Sequence, residues 1–77
     1  MQATPAKRRL SYKDARELEQ LPARIESLEA RMAELTRAMN DASFFRQGAD
    51  EIVAANRTMA STQADLDAAY ARWQELE

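Results

Sequence analysis

Five basic residues gather near the start of the sequence, and their chemistry suits contact with phosphate groups. They are Lys7, Arg8, Arg9, Lys13 and Arg16. With Asp14 as the only acid, residues 1–16 carry +4, so a chain with a total charge of −2 has −6 in its remainder. Such a segment can follow a nucleic-acid backbone, and without a base-reading element its binding should depend on salt and only weakly on sequence. A linker kept soluble by its charge would explain the same residues.

The sequence offers little to a catalytic or metal-binding mechanism. It contains no Cys and no His, which excludes zinc–thiolate sites, cysteine nucleophiles and a serine paired with histidine. No phosphate-binding glycine loop and no metalloprotease or serine-hydrolase motif occurs. Glu34 has Arg31 and Arg37 at the three-residue spacing of a solvated helix face. We therefore expect a chain with no enzymatic activity, no metal and no cofactor.

Two observations bear on location. No run of about 18 consecutive apolar residues occurs, and the first ten residues lack the apolar core of a signal peptide. The sequence therefore predicts a cytoplasmic protein with no membrane contact.

The first long element is predicted from large apolar residues whose spacings alternate between three and four. They are Leu18, Leu21, Ile25, Leu28, Met32, Leu35 and Met39. This is the a/d seam of a coiled coil, and it places Arg24, another candidate phosphate contact, at a g position. Ser11, followed by Asp14 three residues later, is the expected N-cap.

The segment around residues 42–49 interrupts this pattern, and a second seam follows it. Its large members are seven residues apart, with one more three residues further on: Ile52, Met59, Leu66, Trp73 and Leu76. Pairing the two seams in opposite directions brings Ile25 to Leu66 and Leu18 to Trp73, which predicts an antiparallel hairpin. The positions between remain open: either Ala55, Thr62 and Ala69 or Asn56, Gln63 and Tyr70 complete the seam.

These patterns predict an all-α fold, an antiparallel two-helix coiled-coil hairpin that forms a monomer. We expect residues 1–10 to be a basic flexible linker and residues 11–77 to be the hairpin. Within the hairpin, a helix spans about 11–41, a turn 42–49 and a second helix 50–77.

Pro22 falls inside the first predicted helix, at an e position. Its ring clashes with the carbonyl of Leu18 and removes one hydrogen bond, at a cost of about 3 kcal/mol in an ideal helix. Because the heptad phase continues through it, we expect a bend with a tight 3₁₀-like turn at residues 19–22. A short N-terminal helix would then tilt across the base of the hairpin and cover Trp73 and Leu76.

The turn contains two adjacent aromatic residues, Phe44 and Phe45, followed by Arg46. One ring can close the open end of the hairpin. The other, beside Arg46, can stack on a nucleobase or dock into another protein. Arg46 therefore belongs to the candidate nucleic-acid-binding set.

Three stretches in this order, "RRLSYKDARELEQLPARIESLE", "NDASFFRQ" and "AYARWQELE", resemble the C-terminal domain of the ABC-F class of ATP-binding cassette proteins, in particular its Uup-type branch. The resemblance covers the chain from Arg8 to Glu77. The residues that match the family's motifs are Tyr12, Lys13, Arg16, Leu18, Leu21, Pro22, Phe44, Phe45 and Trp73.

The resemblance implies a helical hairpin that follows two ATPase cassettes, with ATP bound only in those absent cassettes. It also implies DNA binding, as in this branch, or contact with ribosomal RNA and the ribosome, as in the wider class. The leading hypothesis is a non-catalytic module that binds nucleic acid through its basic N-terminal side. The alternative is a protein-interaction, spacer or oligomerisation coiled coil.

Overall fold

A computed structural model describes residues 10–77 and contains two long antiparallel helices. Helix α1 spans Tyr12–Asn40 and helix α2 spans Ala49–Leu76, with a short 3₁₀ helix at Ala42–Arg46 between them. The two long helices pack against each other along their length, which confirms the all-α hairpin. We call the end that holds Leu10 and Leu76 the base, and residues 41–48 the tip. Residues 1–9 of the predicted linker lie outside the described part.

The ends of the helices follow from local capping groups. The Ser11 hydroxyl accepts a hydrogen bond of 3.0 Å from the Asp14 N–H, as predicted for the cap of α1. At the tip, the Asp41 carboxylate accepts from both the N–H and the hydroxyl of Ser43, which lowers the pKa of Asp41 and fixes the start of the 3₁₀ helix. Gly48 precedes α2 with an ordinary extended backbone.

The prediction of a 3₁₀-like turn and a separate tilted helix at Pro22 is wrong. Helix α1 continues through Pro22 without interruption, and the proline ring is exposed. Leu21 and Ile25, on either side of the proline, are both buried in the interface with α2, so packing on both sides holds one helix together. At the base, Leu10, Leu18 and Trp73 all pack against the buried cluster that contains Leu76.

The core is a narrow seam concentrated in the half of the hairpin nearer the base. Its buried apolar residues are Leu21, Ile25, Leu66, Ala69 and Leu76. The structure decides the open choice in α2, because Thr62 and Ala69 are buried whereas Gln63 and Tyr70 are exposed. Small side chains therefore complete this seam, as close approach of two helices requires.

The tip is closed by a single aromatic ring. Phe44 is buried, whereas Phe45 is 72% exposed and meets Phe44 edge to face, with 5.1 Å between the ring centroids. The predicted plug is thus Phe44, and Phe45 is the ring left in solvent. Within residues 10–77, neither helix is long and apolar enough to cross a membrane.

Candidate nucleic-acid interface

The base of the hairpin is organised around Arg72, near the end of α2. Its guanidinium binds both carboxylate oxygens of Glu17, through Nε and Nη2 at 3.0 Å each. Nη2 also donates to Asp14 at 3.1 Å, and Nη1 donates to Glu75 at 3.0 Å. One cation therefore binds the first two turns of α1 to the last turns of α2, in the fork geometry that favours Arg over Lys.

This arrangement changes the electrostatics of the base. The hydrogen bonds that Arg72 donates to Glu17 lower the pKa of Glu17 and keep it ionised, and the same bonds raise the pKa of Arg72. Asp14, Glu17 and Glu75 thus share a single cation, Arg72, so three carboxylates and one guanidinium keep a net charge of −2 at the base. The charge of Lys13, one turn before Glu17, also contributes to lowering the pKa of Glu17.

Lys13 and Arg16 lie on the outer surface of the first turns of α1 and are exposed. The Arg16 Nη1 donates a hydrogen bond of 3.1 Å to the hydroxyl of Tyr12, one turn earlier. The guanidinium carbon also lies 5.8 Å from the centroid of the Tyr12 ring, within the range of a cation–π contact. Tyr12 itself is 77% exposed.

The remaining predicted site residues do not all share this surface. Lys7, Arg8 and Arg9 lie outside the described residues. Arg24 is exposed and lines a groove between the helices together with Glu17, Asp65 and Arg72. Arg46 is at the tip, separated from Arg16 by most of α1, a length of about 36 Å. The structure thus brings Lys13 and Arg16 together, leaves Arg24 along one flank, and places Arg46 at the opposite end.

Arg72 was missed as a site residue, although the heptad pattern contains a signal for it. Glu17 precedes the a-position Leu18, and Arg72 precedes the a-position Trp73, so both are at g. Charged residues at g pair between the helices of a coiled coil. The opposite flank holds a second cross-helix contact, in which the Tyr70 hydroxyl donates to Glu29 and the pKa of Tyr70 is raised.

The acidic residues of the hairpin do not form a metal site. No group of three or more His, Cys, Asp or Glu side chains among residues 10–77 is arranged to hold a metal ion. All 13 acids of the chain lie in this segment with 8 of its 11 Lys and Arg residues, so residues 10–77 carry −5. A surface that attracts phosphate would therefore have to be local, and Lys13 and Arg16 are exposed cations at the base.

Comparison with known proteins places this hairpin in a family. Residues 9–77 match the model described as the ABC transporter C-terminal domain. The chain belongs to this family. No solved structure matches the chain at a significant level.

The relatives of this ABC transporter C-terminal domain are ATP-binding proteins. It is 44% identical over 95% of its length to an ATP-binding protein Uup-like and to an ATP-binding protein Uup, both from Haemophilus influenzae. It is also 44% identical, over 90% of its length, to the ATP-binding protein Uup of Escherichia coli. The chain spans only 16%, 11% and 11% of these three relatives. The chain therefore corresponds to the C-terminal domain of a Uup-type ABC-F protein and not to an ATP-binding cassette.

Proposed function

We propose that this ABC transporter C-terminal domain is a non-catalytic module that binds nucleic acid, DNA or ribosomal RNA, through the basic side of its base. In the full-length ATP-binding protein, ATP binding and hydrolysis reside in the cassettes. The domain works in the cytoplasm as a monomeric hairpin and carries no cofactor of its own.

One observation carries the proposal: the carboxylates of Asp14 and Glu17 are bonded to Arg72 of α2, while Lys13 and Arg16 of the same turns are exposed. The bonds to Arg72 weaken the attraction that Asp14 and Glu17 exert on Lys13 and Arg16 at short range. In the sequence, Lys13 and Arg16 follow the three basic residues at positions 7–9. Residues 1–16 carry +4 and the rest of the chain carries −6, and this asymmetry would orient the N-terminal side toward phosphates.

The charge count sets the expected salt dependence. Five cations at phosphates would give a slope of about −4.5 in a plot of log K against log salt on duplex DNA, and Lys13 with Arg16 account for about 1.8 of it. Arg24 and Arg46 would contribute only where a longer nucleic acid follows the rod toward its tip. Contacts of this kind position the protein without reading the sequence.

The test is a fluorescence-anisotropy titration of the chain against labelled duplex DNA, single-stranded DNA and structured RNA at several salt concentrations. The variant K13Q/R16Q should bind more weakly and lose about 1.8 from the slope. A matched control, R37Q/R57Q, removes the same charge from exposed positions away from the base. The control should bind like the wild type apart from a small, general effect of net charge.

Two results would refute the proposal. If the wild type binds none of the three nucleic acids at low salt, the domain is better explained as a spacer or a protein-docking arm. If K13Q/R16Q and R37Q/R57Q weaken binding equally, the base is not the contact surface.

A nucleotide-hydrolysis assay on the chain should detect no turnover.

A further inference from the structure

We propose that Tyr12 is a stacking platform for an unpaired nucleobase, held in place beside Arg16 at the base of the hairpin. This inference rests on the proposed function and deepens it, because it names the form of nucleic acid that the base prefers: a single strand or an unpaired segment. The shared chemistry is the flat face of a nucleobase, which DNA and RNA both supply.

The first argument is the exposure of Tyr12. At 77% exposed it presents more of its surface than any other large hydrophobic side chain among residues 10–77. It contributes nothing to the core, so packing does not account for an aromatic residue at this position. Exposed aromatic rings beside basic residues are the means by which proteins bind the bases of single strands.

The second argument is that the platform is rigid. Tyr12 is the first residue of α1, and the turn that carries it is closed by the Ser11 cap. The Ala15 N–H also donates to the Ser11 carbonyl at 2.8 Å. The ring is held by the hydrogen bond from Arg16 to its hydroxyl. A ring fixed before binding loses little conformational entropy when a base stacks on it.

The third argument is the position of the Arg16 guanidinium. It lies 5.8 Å from the ring centroid, and yet the ring stays largely exposed, so this contact leaves room for a base. Arg16 is then close enough to the stacked nucleotide to meet its phosphate. Tyr12 and Arg16 border a shallow surface depression together with Ala15 and Glu19. Glu19 is the acidic group that a bound phosphate must avoid there.

Charge distinguishes this ring from Phe45, which is exposed to a similar extent. Phe45 has Arg46 beside it, but it lies at the tip, where Asp41 is kept ionised by Ser43 and where Asp50 and Glu51 begin α2. Tyr12 lies between the basic residues at positions 7–9 and Arg16. From this sequence asymmetry we expect a polyanion to favour Tyr12 over Phe45.

The experiment compares Tyr12→Ala with Tyr12→Trp and Phe45→Ala, using the full 77-residue chain. The probes are fluorescein-labelled oligothymidine, oligouridine and a DNA duplex. Each is about 12 nucleotides or base pairs long, which falls within the single-strand site sizes of about 4–16 nucleotides that such proteins use. A fourth probe is a single strand of the same length whose central nucleotides are abasic. Circular dichroism confirms that each variant keeps the wild-type helix content.

Tyr12→Ala should weaken binding to oligothymidine and oligouridine about 5- to 150-fold, as expected for the loss of one stacked base. The same variant should change duplex binding less than about twofold, since paired bases do not expose their faces. Tyr12→Trp should retain single-strand binding, and Phe45→Ala should match the wild type. The abasic strand should bind the wild type and Tyr12→Ala alike.

The outcomes separate this inference from the proposed function. Salt-dependent binding that Tyr12→Ala leaves unchanged, or weakens equally on single strand and duplex, would overturn the stacking platform and leave the basic surface standing. An equal loss for Phe45→Ala would also overturn it. If the wild type binds neither strand form at low salt, both proposals fail. A loss confined to oligouridine or to oligothymidine supports the platform and identifies which nucleic acid supplies the base.

Discussion

Replacing Pro22 with Ala should make the hairpin more stable. Pro22 lies ten residues after the start of α1, beyond the first turn where proline is tolerated, and it leaves the Leu18 carbonyl without the N–H of residue 22. Its ring is exposed, so its removal costs no core packing. The substitution therefore restores one helix hydrogen bond, relieves the clash with Leu18 and leaves the interface with α2 unchanged.

The magnitude follows from two opposing effects. A proline in a helix interior costs about 3 kcal/mol relative to alanine, whereas its restriction of the unfolded chain is worth about 0.4–1 kcal/mol. The net gain for Pro22→Ala is about 2 kcal/mol, which for a domain of this size raises Tm by about 8–16 °C.

Urea unfolding, followed both by far-ultraviolet circular dichroism and by the fluorescence of Trp73, measures this gain. The control is Ala30→Pro, an exposed site deeper in α1, which by the same two effects should lose about 2 kcal/mol. If Pro22→Ala leaves stability unchanged or lowers it, the reasoning is refuted. A curvature imposed by the proline would then be needed to keep Leu18 and Leu21 on α2.

Three further substitutions or conditions test the fold. Phe44→Ala should lower the free energy of unfolding in urea by about 3–5 kcal/mol because Phe44 is buried. Phe45→Ala should change it by less than about 0.5 kcal/mol, since Phe45 is exposed. Equal effects of the two variants would contradict the closed tip. Thr62→Val should be neutral or stabilise by up to about 0.8 kcal/mol, because the buried hydroxyl bonds only a carbonyl of its own helix; a marked loss would show that the hydroxyl matters. The pKa of Glu17 is lower in the folded state than in the unfolded state, where it is about 4.3. The contribution of Glu17 to the free energy of unfolding is therefore complete above the unfolded pKa and is lost as the pH falls through the folded pKa. Arg72→Met should reduce this pH dependence, and an unchanged pH profile would count against the ion pair.

Heptad spacing in the sequence was sufficient to predict the hairpin and most of its seam. The seven-residue repeat from Ile52 to Trp73 fixes one stripe of α2, but the sequence alone left its neighbour undecided. Gln63 and Tyr70 are as well spaced as Thr62 and Ala69. Close packing of two helices favours the small residues, and that constraint becomes visible only when both backbones are present.

The sequence reasoning was wrong at Pro22, where a local rule was applied without the tertiary context. The cost of the proline is real, but burial of Leu21 and Ile25 on the same face exceeds it and keeps the helix whole. The candidate site was predictable only in part. Lys13 and Arg16 are neighbours on one helix, so the helical period alone brings them together. The contacts of Arg72 with Asp14 and Glu17 depend on the register between the two helices, which the sequence alone does not define.

The clamp that Arg72 forms at the base has a mechanical consequence. Because both helices are joined there, a force applied at that end turns the hairpin as one lever. Helix α1, with 29 residues, is about 43 Å long, so a rotation of about 10° at the base moves the tip by about 7 Å. That displacement is about two nucleotide steps along a strand. A small rotation of the base relative to the rest of the ATP-binding protein would thus produce a large displacement of Phe45 at the tip.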